Sequence, residues 1–414
     1  MKILLEQSGY GLDNLGDIAM LQVAVQRLQA NMPGAELSVF TSSPERLSRF
    51  CPGTTPANIE GRTLCTRPGC LFGPLGRKVP SLERGTLLSF TNLATNIVHT
   101  RTKLRRRSSS SLDDYIEAIR SSDLVISSGG GFLTDAFPWQ VDGVHCTFML
   151  AKKFGKPFAL MGQGIGPLDG HRLRTLTREF LTDAGLIGLR EGVGGTSILK
   201  ELGITGDKVI VTGDDAVQLG YSRHKPVVGD GLGINIRLAS YSRVKPEDVN
   251  RLRTILRDIV KELGTSFVPL PVALDFEGGD PTSISRLIST EDEQSDGGLA
   301  LTEPLDLVER VSRCRTVITG SYHAAVFALS QGIPIIGLVM SPYYQYKFAG
   351  LSQLFPGGCT VVTLDDPDLA GALLRAVETN WATAAERRAA LLGHAERQVN
   401  LGNAAYERLY ALAG

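Results

Sequence analysis

The sequence predicts an α/β protein of two doubly wound, Rossmann-like domains facing one another across a cleft. Two observations carry that prediction. Short apolar runs with strand character alternate with amphipathic helical segments along most of the chain. Glycine-rich loops follow several of the strand-like runs, at the positions where ligands collect in open parallel sheets. A length of 414 residues agrees with two domains, or three.

Lys2–Glu6 reads as the first strand, Gly16–Asn31 as an amphipathic helix, and Glu36–Thr41 as the next strand. From about residue 52 to 111 the chain is rich in Gly, Pro, Arg and Ser and reads as an irregular insertion. A helix over Leu112–Ser121 restores order. The strand Leu124–Ser127 then enters "SSGGGFLTD", Phe158–Met161 enters "GQGIGP", Leu186–Leu189 enters "REGVGGTSILKELG", and Val209–Thr212 enters "GDDAV". A polar stretch at Tyr221–Asp230 reads as a linker, dividing the chain into residues 1–222 and 223–414. The second series runs through the strand Leu232–Arg237, the helix Pro246–Leu263, the strand Ser266–Pro269 and the βαβ unit Thr316–Met340, and closes on an Ala-rich helical stretch, Asp368–Ala411.

Lys plus Arg equals Asp plus Glu at 43 each, which argues against a dedicated nucleic-acid binder. Six scattered cysteines make no disulfide framework, and the Cys65/Cys70 spacing is not that of a metal site, so a reducing cytoplasm is expected. The N-terminus "MKILLEQSGYG" is too short in apolar residues for a signal core. No run of about 18 apolar residues occurs, so any membrane contact is expected to be peripheral. The basic run Arg101–Arg107 reads as a solvated loop or as a contact with anionic lipid or a diphosphate-linked acceptor.

Three loops of the first half share one character. "SGYGLDNLGD" contributes Asn14, Gly16 and Asp17, "SSGGGFLTD" Gly130, Gly131 and Asp135, and "GQGIGP" Gln163 and Gly164. Glycines there let a ligand or another backbone approach, and free N–H groups at helix starts attract anions. None is a Walker A loop or a dinucleotide fingerprint. In the second half, "TGSYHAAVFALSQGIP" puts His323, beside Ser321 and Tyr322, where a buried strand gives way to a helix. A histidine there either caps the helix or serves a site. With Arg237 at a strand end and Lys347 in "SPYYQYKFAG", it would make a positive pocket for a small dianion.

Taken in order, "GYGLDNLGDIAML", "SSGGGFLTD", "MGQGIGP", "REGVGGTSILKELGI", "VTGDDAV", "LGINIR" and "TGSYHAAVFALSQGIPIIGL", with Lys347 following, resemble the polysaccharide pyruvyl transferase family over nearly the whole chain. The resemblance implies a fold like that of the two-domain GT-B glycosyltransferases. It also implies transfer of a pyruvyl group from phosphoenolpyruvate to hydroxyls of a sugar or lipid-linked saccharide, commonly as a cyclic ketal, with no cofactor beyond the donor. Where the family often has Arg-Leu-His, this chain has Ser321-Tyr322-His323, so Arg237 and Lys347 are left to hold the donor's charge, or the donor differs.

That chemistry needs C3 of the donor protonated, C2 made electrophilic and a hydroxyl deprotonated. His323 is expected to bind phosphate and move a proton, and Asp17 or Asp135 to orient or deprotonate the acceptor, although either aspartate also suits a helix cap or turn. The second domain is then the donor side and the first the acceptor side. A nucleotide-sugar glycosyltransferase or epimerase, or a non-catalytic anion-binding relative, are the competing readings, because one fold hosts several functions.

Overall fold

The structure, a computed structural model, describes residues 1–7, 9–104, 110–274, 279–289 and 294–413. The first sheet contains β1 (Lys2–Glu6), β2 (Glu36–Thr41), β3 (Thr55–Asn58), β4 (Leu124–Ser127), β5 (Gly130–Leu133), β6 (Phe158–Ile165), β7 (Leu186–Leu189) and β8 (Val209–Val211). Its order is β3-β2-β1-β4-β6-β7-β8, with β5 paired to β6. The second contains β9 (Gly231–Asn235), β10 (Phe267–Pro269), β11 (Cys314–Thr319), β12 (Ile335–Val339) and β13 (Cys359–Thr363), in the order β10-β9-β11-β12-β13. Every pairing of these strands is parallel.

The inner strands are mostly apolar because both faces are covered. In β1, Ile3 and Leu5 pack on one side and Leu4 on the other. In β11 and β12, Val317, Ile335 and Val339 face a core that joins the two halves, whereas Ile318, Ile336 and Leu338 face the outer core of the second domain.

The helix Leu369–Ala413 ties the domains together. At about 1.5 Å per residue, 45 residues reach about 68 Å. Its first half packs on the second sheet, where Asn380 donates to the Ile335 carbonyl (3.1 Å). Its end lies on the first domain, where the Tyr406 hydroxyl donates to Asp215 (2.7 Å) and Arg408 to the Asp207 carbonyl (2.7 Å). Asp215 also pairs with the buried Arg27 of helix Leu15–Asn31.

Two stretches differ from the sequence reading. The insertion at about 52–111, expected to be irregular, holds the short strand β3 and helices over Glu60–Thr66, Pro74–Lys78, Pro80–Ser89 and Thr91–Leu104. Pro74 and Pro80 open helices, a position proline favours. The buried Glu83 carboxylate accepts from the backbone N–H groups of Gly69, Leu71 and Phe72, which fixes the loop ahead of them. The second difference is in the glycine-rich loops. Gly130–Leu133 is strand, and β6 runs four residues past Met161, because Gln163 pairs in register with Gly130. Residues 105–107 of the basic run lie outside the described residues, as do the side chains of 101–104. Among the described residues no helix is long and apolar enough to cross a membrane.

Candidate functional site

The carboxyl ends of the two sheets face each other and enclose a cleft of about 240 Å³. From the first domain come Asn14, Asp17, Gly131, Phe137, Trp139, Gln140 and Arg190. From the second come Arg237, Tyr241, Asp280, Ser321, Tyr322, His323, Tyr343, Tyr344 and Lys347. Backbone hydrogen bonds close one end: Leu15 N–H donates to the Val272 carbonyl (2.8 Å) and Leu274 N–H to that of Asp13 (2.9 Å). Across the cleft the Tyr343 hydroxyl donates to the Gly131 carbonyl (2.9 Å).

Thr319 ends β11, and the helix Tyr322–Ser330 begins three residues on, so His323 sits in its first turn. Ser321 occupies the N-cap position, yet its side chain makes no capping bond. The imidazole is 7% exposed and its Nε2 has no hydrogen-bond partner. Asp214 Oδ2, on the first domain, lies 3.7 Å away. Burial, with Arg190 and Lys347 nearby, holds the His323 pKa well below its usual value, so the ring is neutral. The Tyr322 hydroxyl is also buried and unpartnered.

Arg190 follows β7 directly and is 1% exposed. It donates to Glu191 (2.9 Å) and Asp214 (3.5 Å), and its guanidinium carbon stands 4.1 Å from the Tyr322 ring centroid. Burial works against its charge, but Tyr322, Glu191 and Asp214 more than offset that and keep it protonated. Burial pushes Asp214 up to about 6 against the pull of Arg190, and raises Glu191 in the same way. Lys347, on helix Pro342–Leu354, has its Nζ 4.1 Å from the Tyr343 ring centroid. Burial, and then Arg190, depress its pKa well below the usual lysine value.

Arg237 lies two residues beyond β9, donating from Nη1 to Asp280 (3.1 Å) and from Nε to Tyr241 (3.1 Å). Asp280 also accepts from Asn235 and from the N–H groups of Val272 and Ala273, so the arginine is anchored from below.

Of the residues singled out in the sequence, Asn14, Asp17, Gly131, Arg237, Ser321, Tyr322, His323 and Lys347 line one cleft. Asn14 caps helix Leu15–Asn31, accepting from the N–H groups of Gly16 (2.9 Å) and Asp17 (3.2 Å). Gly16 has no side chain because the His323 ring occupies that space. A Cβ on Gly131 would lie 2.8 Å from Lys347 Nζ, and one on Gly164 2.7 Å from Arg190 Nε. Gly130 and Gln163 are outside the lining, in the β5–β6 pair, where Gln163 donates to the Gly130 carbonyl (2.6 Å).

Asp135 is the exception. It is exposed, lies outside the cleft lining, and accepts from the N–H groups of Asp169 and Gly170. Its bonds fix the stretch that leads into helix His171–Asp183. Sequence reasoning missed Arg190, Glu191 and Asp214, although "REGVGG" and "GDDAV" were seen at strand ends. Strands β7 and β8 are neighbours, so charges just beyond both belong to one edge.

The family model described as polysaccharide pyruvyl transferase matches residues 14–342. No curated protein matches the sequence. Among solved structures, a putative UDP-N-acetylglucosamine 2-epimerase from Listeria monocytogenes aligns with TM-score 0.55 at 12% identity, over 99% of this chain and 94% of that one. The UDP-GlcNAc 2-epimerase from Neisseria meningitidis, solved with UDP-GlcNAc bound, aligns with TM-score 0.55 at 15% identity, over 100% and 99%. At such identities the likeness is one of fold, two Rossmann-like domains in the GT-B manner, and the sequence match adds a transferase class. The chain belongs to the polysaccharide pyruvyl transferase family.

Proposed function

We propose that the protein transfers the pyruvyl group of phosphoenolpyruvate to two hydroxyls of a saccharide, forming a cyclic ketal and releasing inorganic phosphate. One observation carries this reading: a buried, neutral His323 with an unpartnered Nε2 shares a cleft with Arg190, Arg237 and Lys347. Phosphoenolpyruvate brings a carboxylate and a phosphate, and this set offers both a planar fork and point charges to receive them. Arg190 supports the assignment further, because it brings a guanidinium over the Tyr322 ring, next in sequence to Ser321, where the family often carries its own arginine.

In the proposed reaction C3 of the donor gains a proton, and the first sugar hydroxyl adds to C2 and loses its proton. The second hydroxyl then displaces phosphate from C2, and its proton leaves with the phosphate. One donor and two hydroxyls thus give one ketal and one phosphate. His323 accepts the hydroxyl proton, and Asp214 at 3.7 Å stabilises the imidazolium so formed. The entering anion offsets Arg190 and Lys347, so donor binding itself raises the proton affinity of His323.

Thermal shift separates this from nucleotide-sugar chemistry. Phosphoenolpyruvate at about 100 times its dissociation constant should stabilise the fold by roughly 2.7 kcal/mol, whereas UDP-sugars should not. The reverse pattern would overturn the proposal.

A further inference from the structure

We infer that Trp139 is a platform at the mouth of the cleft on which the acceptor's pyranose ring stacks, an assignment that rests on the pyruvyl-transfer reading. Trp139 lines the cleft but is 60% exposed, unlike His323, Arg190 and Lys347 at its floor, each less than a tenth exposed. Trp139 is thus a large aromatic that keeps most of its surface open at the rim of a polar, charged cavity.

Its position is built. Trp139 lies in the first turn of helix Pro138–Lys153, after the N-cap residue Phe137, and meets the Phe137 ring at 5.5 Å and 85°. Phe137 in turn packs edgewise on Tyr241 (5.1 Å) and Tyr343 (5.6 Å) of the second domain. The indole is therefore the outer end of an aromatic wall that crosses the domain boundary.

Size places the acceptor there. The cleft holds about 240 Å³, below the roughly 300–1,000 Å³ usual for small-molecule pockets. A small dianion fills its floor, so a sugar reaching toward His323 must leave most of its ring at the mouth. Beside the cationic groups, the same lining carries Asn14, Asp17 and Gln140, two amides and a carboxylate. An apolar C–H face against an aromatic ring, with hydroxyls turned to amide and carboxylate, is the chemistry of a pyranoside. Among common pyranosides a galactopyranoside, whose C3, C4 and C5 hydrogens share one face, presents the broadest apolar face to such a ring.

Tryptophan emission reads this directly, because the chain has two tryptophans and the other, Trp381, lies on the long C-terminal helix against the second domain's outer core with Arg315 over its ring. The probes are methyl β-D-galactopyranoside, methyl β-D-glucopyranoside, methyl α-D-mannopyranoside and UDP, each titrated with phosphoenolpyruvate present. We expect the galactoside to change the emission saturably, with the signal lost in Trp139→Phe, while isothermal titration shows the phenylalanine variant still binding the sugar. Trp139→Ala should raise acceptor KM at least tenfold and leave donor KM within about threefold. An unchanged acceptor KM in Trp139→Ala, silence toward all three pyranosides, or a response to UDP alone would overturn the platform. A sugar response in a protein that never consumes phosphoenolpyruvate would sink the pyruvyl-transfer reading and leave the platform standing.

Discussion

His323 lies against Gly16 across the domain boundary: a Cβ on Gly16 would collide with Cβ, Cγ and Nδ1 of the imidazole. The glycine sits at the start of helix Leu15–Asn31, capped by Asn14, and the histidine in the first turn of helix Tyr322–Ser330. Two helix N-termini from different domains thus converge on one ring. The positive ends of both helices disfavour imidazolium and attract an anion, which makes the ring's protonation depend on the ligand.

Gly16→Ala tests that contact. The methyl group meets the root of the histidine side chain, which cannot swing aside without moving its helix. We expect kcat/KM to fall at least tenfold, with Tm lowered by a few degrees. Steady-state kinetics with the melting curve checks this, and near-normal turnover would show that the ring has room to move.

Arg190→Lys keeps the charge but loses the planar fork, so donor KM should rise about tenfold or more with the fold intact. Arg190→Met leaves Glu191 and Asp214 buried without their counter-charge, a change that costs roughly 3–5 kcal/mol. Adding Glu191→Gln should recover part of that loss. Chemical denaturation measures it, and equal stability of the wild type and Arg190→Met would refute the buried triad.

Asp214 and His323 give the folded state opposite pH dependences. The Asp214 pKa is raised from 3.8 to about 6, so between those values the folded chain holds a proton the unfolded chain has lost, and stability falls as pH rises. His323 is depressed, so below about 6.5 the unfolded chain takes a proton the folded chain refuses, and stability falls as pH drops. Asp214→Asn should gain on the wild type as pH rises from 4 to 6, and His323→Gln should gain as pH drops below 6.5, each by at most about 1.4 kcal/mol per pH unit. Denaturation midpoints from pH 4.5 to 8 measure both, and curves parallel to the wild type would contradict the burial argument.

Much of this was legible in the sequence. Continuous apolar runs gave most of the parallel strands, and the break after Gly332 marked the βαβ unit that carries His323. Arg237, His323 and Lys347 were visible because each is a lone polar group beside apolar sequence. Arg190 was not, because it is followed at once by Glu191, and adjacent opposite charges read as surface. Only the three-dimensional pairing with Asp214 shows that they are buried. The helices of residues 60–104 were hidden by glycines and prolines that start and separate helices as readily as they make loops.

Asp17 and Asp135 now separate. Asp17→Asn should raise acceptor KM several-fold with donor affinity nearly unchanged, since its carboxylate lines the cleft. Asp135→Asn should leave both constants within about twofold, since it lies outside the cleft lining and its bonds run to the N–H groups of Asp169 and Gly170. Kinetics in acceptor beside donor calorimetry decides it, and a selective acceptor defect in Asp135→Asn would return that residue to the site.

His323 is proposed to drive ketal formation from phosphoenolpyruvate. Carbon NMR of 2-¹³C-phosphoenolpyruvate incubated with the protein and methyl β-D-galactopyranoside follows C2 itself. The enol carbon should give way to a ketal carbon as phosphate appears, and His323→Gln should slow this about 100-fold while remaining folded. Persistence of the enol signal with wild-type protein, while a UDP-sugar is converted in a His323-dependent way, would contradict it.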